Sequence, residues 1–291
     1  MNAMSHPTLP SLFVSHGSPM IALEPGAAGA FMRELGPALD AAFGRPRAIV
    51  VASAHSLTRE PALLAAEHHG TVHDFGGFPQ PLYELRYDAP GAPDLAPRVA
   101  QLVRDAGLPV HVVADGGLDH GMWMPLRFAY PDADVPVLPL AFPANWSPRQ
   151  LFALGQALAP LRSEGVLVLG SGSITHNLRL VFSRNAHADT AREDQPEMPE
   201  SAAFRRWFVE RSAARDTEAL FDYRKQAPHA AYMHPSDEHL LPWYVAAGAG
   251  HEGPLQRVHD SVTMGCLGMD AYAFGAEAPR LQRQLSEAVA A

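Results

Sequence analysis

The sequence has few of the features that mark secreted, membrane or nucleic-acid-binding proteins. It contains one cysteine, Cys266, so no disulfide can form within the chain, and we expect this thiol to be a small buried side chain. Charged residues make up only 18% of the chain, the formal net charge is −9, and no basic run stands out. Binding to nucleic acid is therefore not expected, because nucleic-acid phosphates bind basic surfaces and this chain is acidic overall.

Long apolar runs are also missing. None approaches the roughly 18 residues that a membrane-spanning helix needs. The first residues, MNAMSHPTLPSLFVSHG, have neither the basic region nor the apolar stretch of a secretory signal peptide. We therefore expect a cytoplasmic protein with no membrane partner.

Apolar residues make up 47% of the 291 residues, which is enough for a sizeable core. Strand-like apolar runs alternate with helical patterns, which predicts an α/β fold with a central, mostly parallel sheet and helices on both sides. No composition shift marks a boundary, so we predict one domain over 1–291, with its core at about 11–270 and an exposed loop at 183–200. The predicted strands are 11–15, 47–54, 62–66, 109–113, 135–141 and 165–170, with a further β region around 256–268. The predicted helices are 27–42, 95–106, 120–129, 148–162, 201–222, 238–248 and 279–290.

The helix at 148–162 has a clear start signal. Ser147 can cap the helix, Pro148 suits its first turn, and Gln150 completes a capping box. Leucines at positions 151, 154 and 158 then share one face, which predicts that this face is buried.

Histidine is frequent, with 15 in the chain, and five of these lie at the ends of predicted elements. His16 ends the apolar run SLFVSH, His55 ends AIVVASAH, and His176 follows the strand and turn VLVLGSGSIT. His120 follows a glycine turn at a predicted helix start, and His239 lies in the proline-flanked segment HPSDEHLLP. Ligands of open α/β sheets bind beyond the carboxyl ends of the strands, so these side chains are candidates for a shared site.

Several imidazoles at one place suggest a metal site. Imidazole is a common ligand of zinc and iron, and three protein ligands with open positions make a catalytic arrangement. The sequence contains no CxxC and no HExxH motif, so no local pattern identifies such a site. A single histidine at the end of an element is more often a cap or a core residue than a ligand. The hypothesis therefore depends on several histidines converging.

Six motifs, taken in order, resemble one family. They are SHGSP (15–19), VVASAH (50–55), HDFGGFPQPLY (73–83), DHGMWMPL (119–126), GSGSITHNL (170–178) and EHLLP (238–242). Together they resemble the class III extradiol ring-cleavage dioxygenases, and within these the 4,5-DOPA extradiol dioxygenase-like branch. The resemblance extends over roughly residues 11 to 270. It implies an α/β fold with a non-haem metal, which is Fe(II) in active dioxygenases and often zinc in bacterial members of this branch.

The resemblance also implies a metal-ligand set. His16 and His55 match the first two ligands of the family. His239 matches the third ligand of this branch, while the adjacent Glu238 stays an alternative because the wider class uses a glutamate. His176 matches a histidine that lines the site, either as a fourth ligand or as a catalytic contact to the substrate.

Further residues are implied to act on the substrate. His120 matches the acid/base histidine, and His73 lies in a segment that matches a loop near the substrate. Phe75, Phe78, Trp123 and Tyr232 are candidate walls of an apolar pocket, although packing in the core explains large aromatic residues equally well.

The implied reaction suits these residue types. A catechol must chelate the metal through both oxygens while O₂ takes another position, which requires few protein ligands. Neutral imidazoles leave the metal more charged than carboxylates would, so a bound catechol ionises readily, and a nearby histidine can take its second proton. We therefore expect meta-cleavage of a substituted, DOPA-like catechol to a muconic semialdehyde.

Two alternatives stay open at this point. One is a zinc-dependent hydrolase on the same scaffold, with His16, His55 and His239 holding zinc and a metal-bound hydroxide as nucleophile. The other is a metal-binding protein with no turnover. The sequence does not identify the catechol substrate, does not distinguish iron from zinc as the bound metal, and does not indicate the oligomeric state.

Overall fold

A central β-sheet organises the protein, which a computed structural model describes over residues 7–185 and 195–290. The strand order is β5–β4–β6–β2–β7–β1–β11–β8, with β3 also paired to β6, while β9 and β10 form a separate two-stranded sheet. The strands are β1 (Ser11–Ser15), β2 (Ala48–Ser53), β3 (Leu57–Thr58), β4 (Ala62–Leu64), β5 (His111–Val113), β6 (Val137–Pro143), β7 (Val166–Gly172), β8 (Leu255–His259), β9 (Val262–Thr263), β10 (Leu267–Gly268) and β11 (Ala271–Phe274).

The four middle strands, β6, β2, β7 and β1, run parallel to one another. Every residue of these strands is buried, as expected for a parallel sheet that is covered on both faces. Antiparallel pairs lie further out, where β4 joins β6, β11 joins β1, and β8 joins β11. The prediction of a mostly parallel central sheet is confirmed.

Helices cover both faces of this sheet. Val50 of β2 belongs to a core shared with α3, α5 and α11, whereas its neighbours Ile49 and Val51 belong to a core shared with α1, α4 and α12. The helices are α1 (Gly26–Phe43), α2 (Gln80–Glu84), α3 (Ala96–Asp105), α4 (His120–Ala129), α5 (Pro148–Leu158), α6 (Leu178–Asn185), α7 (Pro199–Ala213), α8 (Thr217–Phe221), α9 (Tyr223–Gln226), α10 (Ala230–Met233), α11 (Leu241–Ala249) and α12 (Ala278–Ala290). Across residues 7–185 and 195–290, none of the helices combines the length and apolar character needed to cross a membrane.

Element boundaries differ from the predictions at a few places. The capping box at Ser147 is present, but α5 ends at Leu158 and a 3₁₀ helix, Ala159–Glu164, continues the segment. The predicted helix 201–222 is divided into α7 and α8, because Arg215 adopts a left-handed conformation with φ of 55° between them. The final β region extends to β11, beyond the predicted limit at 268. Half of the predicted loop 183–200, residues 186–194, lies outside the described residues; residues 183–185 belong to α6, 195–198 are irregular, and 199–200 begin α7.

Candidate active site

The carboxyl ends of parallel strands bring the predicted histidines to one edge of the sheet. His16 follows β1 directly, and His55 lies two residues beyond β2, with both strands paired to β7. The Nε2 atoms of His16 and His55 are 3.1 Å apart. Two nitrogens that each bind one ion at about 2.1 Å lie about 3.0–3.4 Å apart, so this spacing fits a shared ion.

His239 reaches the same place from the segment that leads into α11. One ring nitrogen from each of His16, His55 and His239 lies within 4.8 Å of the other two. The backbone explains this approach, because the Ser173 amide donates to the His239 carbonyl at 2.8 Å and Gly172 leaves room for that carbonyl. A Cβ atom at position 172 would run into the carbonyl oxygen.

The three imidazoles are held neutral, as metal binding requires. Burial lowers the pKa of His16 and His239 well below the ordinary value, with further lowering from neighbouring imidazoles, and burial lowers the pKa of His55 to about 4. Ser171 Oγ donates its proton to the Gly121 carbonyl, so it accepts from His16 Nδ1 at 3.0 Å. His16 therefore carries its proton on Nδ1 and presents a lone pair on Nε2 towards His55.

His176 lies beside this group, stacked on one of its members. The rings of His176 and His239 are 3.4 Å apart between centroids, with 7° between their planes. Because ring nitrogens bind ions in the plane of the ring, an ion in the plane of one of these rings lies outside the plane of the other. Burial, followed by the charge of His234, lowers the pKa of His176 to about 4. His176, Glu238 and His239 nevertheless offer ligand atoms within 4.8 Å of one another, so both predicted roles of His176, fourth ligand and substrate contact, stay open.

His120 begins α4 at the opposite side of the cluster. Its ring centroid is 3.9 Å from that of His55 and 5.3 Å from that of His16. The preceding residue, Asp119, caps the helix and also accepts hydrogen bonds from Ser53 Oγ at 2.7 Å and Ser56 Oγ at 2.6 Å. Asp119 thus ties the start of α4 to the end of β2.

Asp74 is a contact of the site that the sequence reasoning missed. Its carboxylate accepts from the backbone N–H of His120 at 2.9 Å and lies 2.9 and 3.0 Å from His120 Nδ1. The sequence analysis chose the adjacent His73, whose Nε2 donates to the Leu85 carbonyl at 3.1 Å. The available signal was an acidic residue within the segment HDFGGFP, which matches a loop near the substrate.

The candidate pocket walls differ in position. Phe75 packs edge-on against His120, with 5.7 Å between ring centroids, and Phe78 packs against Phe75 at 5.4 Å. Trp123 is fully buried behind Phe75, and its indole N–H donates to the Val72 carbonyl. Tyr232 is 44% exposed, and its backbone carbonyl accepts from the side chain of Asn177, next to His176. Phe75 is therefore the aromatic side chain that touches the histidine cluster.

Replacing Gly172 by alanine is expected to lower the affinity for a divalent metal by about 10-fold or more. The added methyl group must displace the His239 carbonyl, and with it the imidazole, and displaced supporting contacts typically cost about 10- to 100-fold in metal binding. Gly70→Ala is the matched control, since a Cβ there meets nothing within 4 Å. Competition for Zn²⁺ against a chromophoric chelator measures the effect, and equal affinities of the two variants would contradict it.

Comparisons with known proteins identify the family of this chain. Residues 4–275 match the LigB family, described as the catalytic LigB subunit of aromatic ring-opening dioxygenase. A 4,5-DOPA dioxygenase extradiol from Beta vulgaris is 36% identical over 91% of this chain and 96% of its own. Another protein of that name from Escherichia coli K12 is 36% identical over 94% of this chain and 97% of its own.

A solved structure shows the same fold. The crystal structure of uncharacterized protein JW3007 from Escherichia coli K12 is similar with a TM-score of 0.73 and 32% identity, covering 92% of this chain and 100% of that one. The family match covers most of the chain and includes the strand ends that carry the histidines. The chain therefore belongs to the LigB family of aromatic ring-opening dioxygenases and is an extradiol ring-cleavage dioxygenase.

Proposed function

We propose that the protein cleaves a substituted, DOPA-like catechol with O₂ at the meta position, giving a muconic semialdehyde. The observation that supports this most is the convergence of His16, His55 and His239, held neutral by burial. Three imidazoles suit Fe(II) or Zn(II), and we propose that they hold Fe(II) in the active protein. The ion would supply a positive centre at which the two catechol oxygens and O₂ come together.

The neighbouring side chains are proposed to handle protons and the aromatic ring. His120, whose Nδ1 is bonded to Asp74, keeps Nε2 available to take a phenolic proton and to return it later. His176 faces the substrate from the other side, beside His239. Phe75 borders the catechol ring, with Trp123 and His73 packed around Phe75.

Tyr232 is proposed to contact the substituent of the catechol. It is partly exposed and is linked to His176 through Asn177, which fits a place at the mouth of the site. A cytoplasmic location stays a prediction, to be checked by cell fractionation.

Oxygen uptake tests the proposed function directly. Metal analysis of protein purified without chelator comes first, and the metal is then removed and replaced anaerobically by Fe(II) or Zn(II). The Fe(II) protein is expected to consume one O₂ per catechol and to form a yellow product, with DOPA and catechols of other side chains as the panel. The Zn(II) protein is expected to consume none, because zinc has no redox chemistry. No uptake by the Fe(II) protein with any catechol, or ester cleavage by the Zn(II) protein, would contradict the proposal.

A further inference from the structure

We propose that Asp74 is a positioning residue that serves a metal ligand and the acid/base histidine with one carboxylate. In this arrangement it orients His120 and His55 together and fixes which ring nitrogen of each carries the proton. The inference rests on the roles proposed above for these two histidines. It goes further because it couples the metal centre to the proton-transfer group through a residue of the loop before α2.

The contact with His120 sets the tautomer of that ring. Asp74 Oδ1 accepts from the backbone N–H of His120 at 2.9 Å and lies 2.9 Å from its Nδ1. An ionised carboxylate only accepts hydrogen bonds, so the proton of a neutral His120 lies on Nδ1. The lone pair then lies on Nε2, where it can receive a proton from a substrate.

The contact with His55 favours the same tautomer, with the proton on Nδ1. Asp74 Oδ2 lies 3.5 Å from His55 Nδ1, while Nε2 of the same ring lies 3.1 Å from His16 Nε2. A proton on His55 Nδ1 is favoured by the facing carboxylate and leaves the lone pair of Nε2 directed at His16. Carboxylates placed behind metal-binding histidines orient the ring and raise its basicity in this way. One carboxylate can serve both rings because their centroids are only 3.9 Å apart.

Asp74 is suited to this role by its position, because among the described residues its carboxylate is the one that lies within 4.0 Å of ring nitrogens of both His55 and His120. Two further carboxylates lie at this end and have other partners: Asp119 accepts from Ser53, Ser56 and the amide of Met122, and Glu238 lies 3.3 Å from Nδ1 of His239.

The test compares Asp74→Asn with Asp88→Asn. Asp88 fastens the start of the same loop, accepting from the amide and hydroxyl of Thr71 at 3.1 and 2.9 Å, without contacting a histidine of the site. An asparagine at 74 retains one acceptor oxygen but adds an amide group that donates, so it cannot accept from both rings. We expect Zn²⁺ affinity to fall by about 10- to 100-fold in Asp74→Asn and to stay unchanged in Asp88→Asn.

Histidine ¹⁵N spectra of the metal-free proteins give a second readout, which a purely structural role would not move. His120 and His55 are expected to carry Nδ1 protons in the wild type and in Asp88→Asn, and to become tautomer mixtures in Asp74→Asn. Asp74→Glu, which keeps the carboxylate, is expected to restore the Nδ1 proton of His120 and part of the affinity.

Two results would overturn the proposal. If Asp74→Asn keeps the wild-type Zn²⁺ affinity and tautomers, the carboxylate is not needed. If Asp88→Asn loses as much Zn²⁺ affinity as Asp74→Asn, Asp74 only stabilises the loop. Neither readout uses turnover, so a failure of the proposed ring cleavage would leave this test intact.

Discussion

Replacing His239 with alanine is expected to lower metal affinity by more than about 100-fold, because even residues that only support a ligand typically contribute 10- to 100-fold. His239 is 5% exposed, and its nitrogen closes the group formed with His16 and His55. Glu238→Gln is expected to lower the affinity by less than about 10-fold. The Glu238 carboxylate lies 3.3 Å from Nδ1 of His239, and the glutamine oxygen can still accept from that nitrogen.

The comparison decides between two third ligands. Metal content per chain and competition against a chelator are measured on the two variants and on His111→Ala, which removes an exposed histidine of β5. The control variant, His111→Ala, is expected to bind the metal with the same affinity as the wild type. If Glu238→Gln loses the metal while His239→Ala retains it, the third ligand is the glutamate.

Replacing His120 with alanine or glutamine is expected to slow ring cleavage by about 10²- to 10⁴-fold, the usual contribution of a general acid–base group. His120 is buried next to His55, and its Nδ1 is bonded to Asp74, so we propose that its Nε2 is the atom that takes the phenolic proton. Metal content should be spared, because we propose that His16, His55 and His239 hold the ion, although His55, Asp74 and His120 form a neighbouring group of possible ligands.

Single-turnover rates of the Fe(II) proteins, measured together with iron content, test this role. Glutamine matters as the second variant because its amide can replace a hydrogen bond but cannot accept a proton. Near-normal rates in both variants would remove the acid/base assignment. Loss of iron in both would make His120 a ligand.

The position of the site follows from sequence where it depends on strands. His16 and His55 end apolar runs, and parallel strands place their carboxyl ends at one edge, so their proximity could be predicted. The position of His239 depends instead on two close approaches to β7: Gly172 leaves room for the His239 carbonyl, and Gly170 leaves room for the Pro242 carbonyl in the first turn of α11. Such close approaches leave no periodic pattern in a sequence: the place of His239 at an element end made it a candidate, and the family resemblance supplied its predicted role as third ligand.

Features set by loops escaped prediction. Asp74 lies in an irregular segment whose course is fixed by single hydrogen bonds, such as those of Asp88 with Thr71. The break between α7 and α8 depends on the left-handed conformation of Arg215, a residue type that rarely adopts it. Residues 201–222 contain neither proline nor glycine, so one long helix was the expected result.

The pairing of β1 also determines when the site can form. β1 lies between β7 and β11, and Ser11 pairs with Phe274, so the strand that positions His16 waits for partners from the far end of the chain. Contacts between residues so distant in sequence form slowly, and a chain leaves the ribosome with its N-terminus first. His16 is therefore held in place only once residues 166–172 and 271–274 are available to pair with its strand. We expect metal acquisition by this group to require an assembled sheet.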